Sequence, residues 1–250
     1  MRHKLTEIFN SQEIKSRLKS LSNDLEMELS EVIYLQALTH RSFIFGDASE
    51  AVEDNERLEF IGDGVANMIV GAKLYKLYPK WDEGELSQAK SILVSEEVFS
   101  QSAHKMNLVP HIIMSESEEQ SGARERSNVS EDAFEAFIGA IFITQGLQAC
   151  EKIFERFHFP NIDENLANPL LLNGKSLLME LCQKNKWPIP EYIQINETGL
   201  EHEKEFTFQV QIGNKVLAVG SGLSKKSVQK KIALNAYFQI MENKEFKVEE

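Results

Sequence analysis

The stretch NERLEFIGDGVANMIV (55–70) decides how this chain is read. Its apolar residues Leu58, Phe60, Ile61, Val65, Met68, Ile69 and Val70 fall on nearly every side of a 3.6-residue helix, the pattern of a helix buried in a core. Acidic residues interrupt it. Glu56, Glu59 and Asp63 are spaced i, i+3 and i+7. At about 100° per residue they occupy an arc of roughly 60° on one face. A buried helix is thus expected to carry carboxylates that cannot all be a solvated face.

A second segment repeats the problem. In EDAFEAFIGAIFI (131–143), Asp132 and Glu135 are i, i+3, and eight uncharged residues follow Glu135 in the segment. Buried carboxylates without partners are costly. Two of them about 6 Å apart repel by roughly 3 kcal/mol at an effective dielectric near 20. Several such pairs would offset much of a typical stability of about 5–15 kcal/mol. Arg57 is the basic residue of the first motif, and an adjacent residue points about 100° away. The second motif has none. Either distant Arg and Lys side chains neutralise the cluster, or a divalent cation held by oxygens does. Hard carboxylates without histidine or thiolate suit Mg²⁺ or Mn²⁺ rather than zinc. In a helical domain, such a cluster matches metal-assisted phosphodiester hydrolysis.

Working outward, residues 1–157 read as successive helices. Leu5, Ile8 and Phe9 lead into a first amphipathic stretch, and helical spacing recurs near 31–39, 54–78, 86–106 and 126–157. Proline after Tyr78 stops the longest of the early ones. The Ser/Glu-rich run 115–131 lacks periodicity and reads as a loop. The stretch HFPNIDENLANP (158–169), with two prolines and several turn formers, reads as an inter-domain linker over 158–168. Beyond it the pattern becomes helix, three strands, helix over 169–241, with 242–250 a frayed acidic tail. Leu171, Leu172, Leu178 and Leu181 belong to the first helix. Phe206, Phe208, Val210 and Ile212 alternate with polar residues as a half-buried strand, and Gly213-Asn214 turns into a strand around Val216–Val219. Ser224 can cap a last helix whose Val228, Ile232, Ala236 and Ile240 share one face. The expected fold is therefore an all-α domain followed by a small α-β-β-β-α domain.

Composition narrows the class. With 42% hydrophobic and 26% charged residues the chain is an ordinary globular protein. No stretch approaches about 18 consecutive apolar residues, and the first twenty residues lack the apolar region of a secretory signal. No membrane association is expected. Cys150 and Cys182 offer neither a disulfide framework nor a zinc spacing, which points to a reducing cytoplasm. The net charge of −12 runs against phosphate binding until the chain is divided. Residues 169–241 hold nine Lys and six Glu, a net of +3, leaving −15 for the remainder.

These motifs resemble the ribonuclease III family. NERLEFIGD (55–63) looks like its most specific motif, and EDAFEAFIGAIF (131–142) like its second acidic one. ALTHRSF (37–43) and EGELS (83–87) are similar to two further blocks, and 169–241 is similar to a double-stranded RNA-binding domain, notably in HEKEF (202–206) and GSGLSKKSVQKKIA (220–233). The resemblance spans nearly the whole chain and looks like the bacterial form. It implies a homodimeric, Mg²⁺-dependent endonuclease, with Mn²⁺ able to substitute and no small-molecule cofactor. Such an enzyme cuts both strands of duplex RNA and processes structured precursors such as rRNA and mRNA. It further implies that Glu59, Asp132 and Glu135 bind the metal, that Asp63 and Glu135 are catalytic, and that Asp63 orders the water. Glu56 and Glu83 occupy the remaining acidic positions, Glu83 in a loop-like context. Phe60 resembles a residue inserted into the dimer partner, with ordinary core as the alternative.

On the RNA-binding side, Ser224, Lys225 and Lys226 open the last helix and Lys230 follows at i+4. Backbone amides at a helix start, with lysines along one edge, suit a row of phosphates across a groove of duplex RNA. Lys175 and Gln183 on the first helix, and His202 after the first strand, are further candidates. Met179 stands where the family often has glutamine for a minor-groove contact. Glu201, Glu203 and Glu205 crowd His202 with like charge for phosphate. Two other readings exist: a non-catalytic RNA-binding protein whose nuclease-like domain only dimerises, and a structural helical protein with an acidic core. The second leaves the C-terminal unit unexplained.

Overall fold

A computed structural model describes residues 12–28, 31–47, 53–168, 171–199, 204–243 and 246. The chain divides into two compact units between Leu171 and Leu172. The stretch holding Leu5, Ile8 and Phe9 lies outside the described residues, as does His202.

The first unit is helical. Its elements are α1 (Gln12–Leu25), α2 (Glu31–Ala37), α3 (Arg41–Asp47), α4 (Glu56–Leu77), α5 (Glu83–Leu93), α6 (Glu96–Lys105), α7 (Glu116–Gln120), α8 (Ser127–Gln145), α9 (Leu147–Ile153) and α10 (Ile162–Ala167). The two segments singled out above become α4 and α8, which pack against each other and form the centre of the unit. Leu58, Val65, Ala66, Ile69 and Val70 of α4 share one core with Phe134, Phe137, Ile138 and Ile141 of α8. With α2 and α6 covering other sides of α8, an apolar sequence on all its faces is what burial requires. Helix boundaries follow local chemistry. Asp82 and Glu85 form a reciprocal capping box at the start of α5, with N–H···O distances of 2.8 and 2.9 Å. The long pattern 126–157 breaks at Gly146, whose φ of +80° ends α8.

Three expectations are corrected. Helix α4 is not buried on every side: Phe60 is 83% exposed, Tyr75 74% and Met68 50%. The run 115–131 is not a loop, because it contains α7, a 3₁₀ turn over Ala123–Glu125 and the start of α8. There the Arg124 guanidinium donates to the carbonyl oxygens of Val109 and Ile112 and pairs with Glu119, so distant contacts order a stretch without hydrophobic period. The stretch 158–168 is not a free linker. His158, Phe159 and Ile162 are buried, and α10 packs on the first unit. Its few apolar residues land on the core despite the surrounding prolines and polar groups.

The second unit comprises α11 (Gly174–Asn185), β1 (Glu191–Thr198), β2 (Glu205–Ile212), β3 (Lys215–Gly222) and α12 (Lys225–Glu242). The antiparallel sheet has the order β1-β2-β3, with Val210 opposite Tyr192 on one side and Ala218 on the other. Phe208, Val210, Ile212 and Leu217 pack against Leu178 and Cys182 of α11 and Val228, Ile232, Ala236 and Ile240 of α12. The turn between β2 and β3 places Gly213 at φ +59°, which costs a glycine nothing. In the stretch read as a tail, α12 continues to Glu242 and Phe246 packs edge-on against Trp187 at 5.2 Å. Among the described residues no helix is long and apolar enough to cross a membrane.

Candidate active site and nucleic-acid interface

Helices α4 and α8 bring their acidic residues into one electrostatic environment. Glu135 is 8% exposed among Phe134, Phe137 and Ile138, and burial pushes its carboxyl up to about 9. Asp63, Glu131, Glu59 and Asp132 push in the same direction. Glu59, half-buried, is raised to about 7 by burial and then by Asp132, Glu56, Asp63 and Asp54. Asp132 is raised to about 6 by burial, then by Glu96 and Glu56. The charges acting most strongly on all three are other carboxylates. Among the described residues, then, no Arg or Lys side chain is ion-paired with Glu59, Asp132 or Glu135.

The other acidic candidates differ. Glu56 is exposed and pairs with Arg41 at 2.8 Å. Asp63 is exposed too, and accepts from Asn67 Nδ2 at 2.6 Å. Glu83 is not in a loop but opens α5, exposed, and accepts from Ser87 Oγ at 2.9 Å. Among the described residues no three His, Cys, Asp or Glu side chains converge closely enough to form a metal cage as they stand. The donor chemistry fits a hard divalent cation: oxygen ligands, excess negative charge and no ion-paired lysine or arginine at the three raised groups.

Sequence reasoning missed several participants. Glu96 is the largest charge acting on Asp132, and Ser127 Oγ at the start of α8 donates to its carboxylate. In the sequence Glu96 is one more acidic residue in a helical first turn, with nothing to mark its neighbour. Arg41 and Asn67 orient Glu56 and Asp63; Asn67 follows Asp63 by i+4, a spacing that could have signalled it.

In the second unit Lys225, Lys226 and Lys230 are all exposed, and Ser224 Oγ caps α12 through the Ser227 amide. Lys225 Nζ lies 4.7 Å from the Phe206 ring centroid. Lys231, also exposed, adds to the same basic run. Gln183 is exposed on α11. Lys175 is engaged within its own unit, donating to Gln229 Oε1 at 2.6 Å and resting 4.5 Å over the Tyr192 ring. Met179 is half-buried on α11.

Fold and site together define a helical unit centred on two acidic helices, joined to an α-β-β-β-α unit with a basic helix start. Residues 30–162 match the Ribonuclease-III-like family model, and 175–240 match the Double-stranded RNA binding motif. Ribonuclease 3 of Bacillus licheniformis is 35% identical over 214 residues, covering 86% of each chain. Ribonuclease 3 of Desulfotalea psychrophila is 38% identical over 205 residues, covering 82% of this chain and 85% of that one. The nuclease domain of ribonuclease III from Campylobacter jejuni, described for flexibility in its dimer-forming region, superimposes with a TM-score of 0.52 at 37% identity. That match covers 56% of this chain and 96% of the Campylobacter one. The chain belongs to the ribonuclease III family.

Proposed function

We propose that this member of the family is an endoribonuclease that hydrolyses phosphodiester bonds in double-stranded RNA, as a homodimer that requires a divalent metal. The observation that carries this reading is the set of carboxylates on α4 and α8 without ion-paired cations at Glu59, Asp132 and Glu135. Those three residues would hold Mg²⁺, with Mn²⁺ able to replace it. When bound, the cation supplies Lewis acidity at the scissile phosphate and acidifies water.

The chain's own side chains do the rest. Glu135, its carboxyl pushed up to about 9 by burial, would hold the cation from α8 as a carboxylate. Asp63, exposed and oriented by Asn67, keeps lone pairs for the attacking water. Glu56, tied to Arg41, and Glu83, bonded to Ser87, would serve as supporting acids. Lys225, Lys226 and Lys230 carry duplex phosphates, with Gln183, Lys175 and His202 as further contacts. Phe60, exposed beside Glu59, enters the partner protomer, so that two sites serve the two strands. The substrates are structured precursors such as rRNA and mRNA in the cytoplasm.

Incubating the purified protein with a long RNA duplex tests this directly. Cleavage is expected with Mg²⁺ or Mn²⁺ and is expected to stop with EDTA. Full cleavage in excess chelator would exclude a metal-dependent site on these helices.

A further inference from the structure

The two acidic helices touch backbone to backbone, and glycines make that contact. A Cβ built on Gly62 would stand 1.8 Å from the Glu135 carbonyl oxygen. A Cβ on Gly139 would stand 2.2 Å from the Leu58 carbonyl oxygen. The arrangement is reciprocal. Leu58 lies four residues before Gly62 and Glu135 four before Gly139, so each helix presents one carbonyl and one glycine to the other. No such constraint holds at Gly64, where a Cβ would meet nothing within 4 Å.

We propose that Gly62 and Gly139 are positioning residues for the acidic site, setting the distance between the carboxylates of α4 and those of α8. This rests on the reading of Glu59, Asp132 and Glu135 as metal ligands. Side-chain packing alone holds helix axes about 8–10 Å apart. Contact between a glycine and a carbonyl lets the backbones approach more closely at this crossing. Glu59 follows Leu58 directly, and Glu135 itself owns the other carbonyl. The ligands therefore leave the two backbones where these meet. A methyl at either glycine faces backbone, which cannot rotate aside as a side chain can. Restoring ordinary contact would part the helices by roughly 1.5 Å. A displacement near 1 Å can cost about 100-fold in rate.

The test compares the full-length parent with Gly62→Ala, Gly139→Ala and the control Gly64→Ala. Duplex-RNA cleavage is resolved into kcat and KM, and thermal melts are recorded with and without saturating Mg²⁺. The expected result for each of the first two variants is a kcat at least ~100-fold lower with KM near the parent's, because RNA is held by the second unit. Both should still melt cooperatively without metal, while the rise in Tm that Mg²⁺ gives the parent shrinks. Gly64→Ala should match the parent in both readouts. Normal kcat in folded Gly62→Ala and Gly139→Ala overturns the proposal. So does loss of a cooperative melt in both, which would make the glycines requirements of the fold rather than of the site. A parent that neither cleaves nor gains Tm with Mg²⁺ sinks the metal-site reading instead.

Discussion

Glu135 is a carboxyl whose burial works against the stability of the fold. It sits among aromatic and aliphatic neighbours, and burial raises its carboxyl to about 9 from an ordinary 4.5. Between those limits the folded protein binds a proton that the unfolded chain releases. Stability of the metal-free protein should therefore fall as pH rises from about 5 to 9, by up to about 1.4 kcal/mol per pH unit from this group. In Glu135→Gln that slope should flatten, and the melting temperature near neutral pH should equal or exceed the parent's. Cleavage should drop by several orders of magnitude, since a neutral amide holds Mg²⁺ poorly. A gel shift should find duplex binding nearly intact. Near-normal cleavage by the folded variant would remove Glu135 from the catalytic set. A large loss of Tm would show that its carboxylate has a cationic partner.

At the scale of elements, α12 follows its sequence signal and the segment ending in α10 departs from it. Helix α12 begins at a Ser224 cap with Lys225, Lys226 and Lys230 exposed in its first turns, a surface suited to phosphates. Replacing the three with alanine should reduce the slope of log affinity against log salt by about 3 and weaken duplex binding, without moving the melt. An unchanged slope would show that phosphate contacts lie elsewhere. The segment 154–167 carries turn formers, yet His158 is buried among Phe99, Phe134, Phe154 and Phe159. Its Nδ1 lies 2.9 Å from Ser102 Oγ, and burial lowers its proton affinity to about 3. A fragment ending at residue 157 would thus strip Phe159 and Ile162 from the core.

For the whole molecule the informative feature is what α4 leaves exposed. Phe60, Met68 and Tyr75 form an apolar stripe on the helix that also carries Glu59 and Asp63. A stripe of this kind on a solvent-facing helix favours a partner surface. Phe60→Asp should convert the protein to a monomer in sedimentation analysis while leaving each unit folded. Cleavage should fall with dimer content, and a dimer undiminished by the substitution would exclude Phe60 as its contact.

The division into a helical unit and an α-β-β-β-α unit and the two acidic motifs could be read from the sequence, because periodicity and residue spacing are local properties; α7 and α10, which lack such a period, could not. The acidic residues Glu59, Asp63, Asp132 and Glu135 were singled out for the same reason: a charge inside an apolar helical pattern is conspicuous within one segment. Other features came only from tertiary structure. It exposed Asp63 and Phe60, paired Glu56 with Arg41 from α3, set Glu96 beside Asp132 and drew 158–168 onto the core. It also revealed that Gly62 and Gly139 meet carbonyls of the opposite helix. Those facts depend on which segments distant in sequence come into contact, and no local pattern along the chain encodes that.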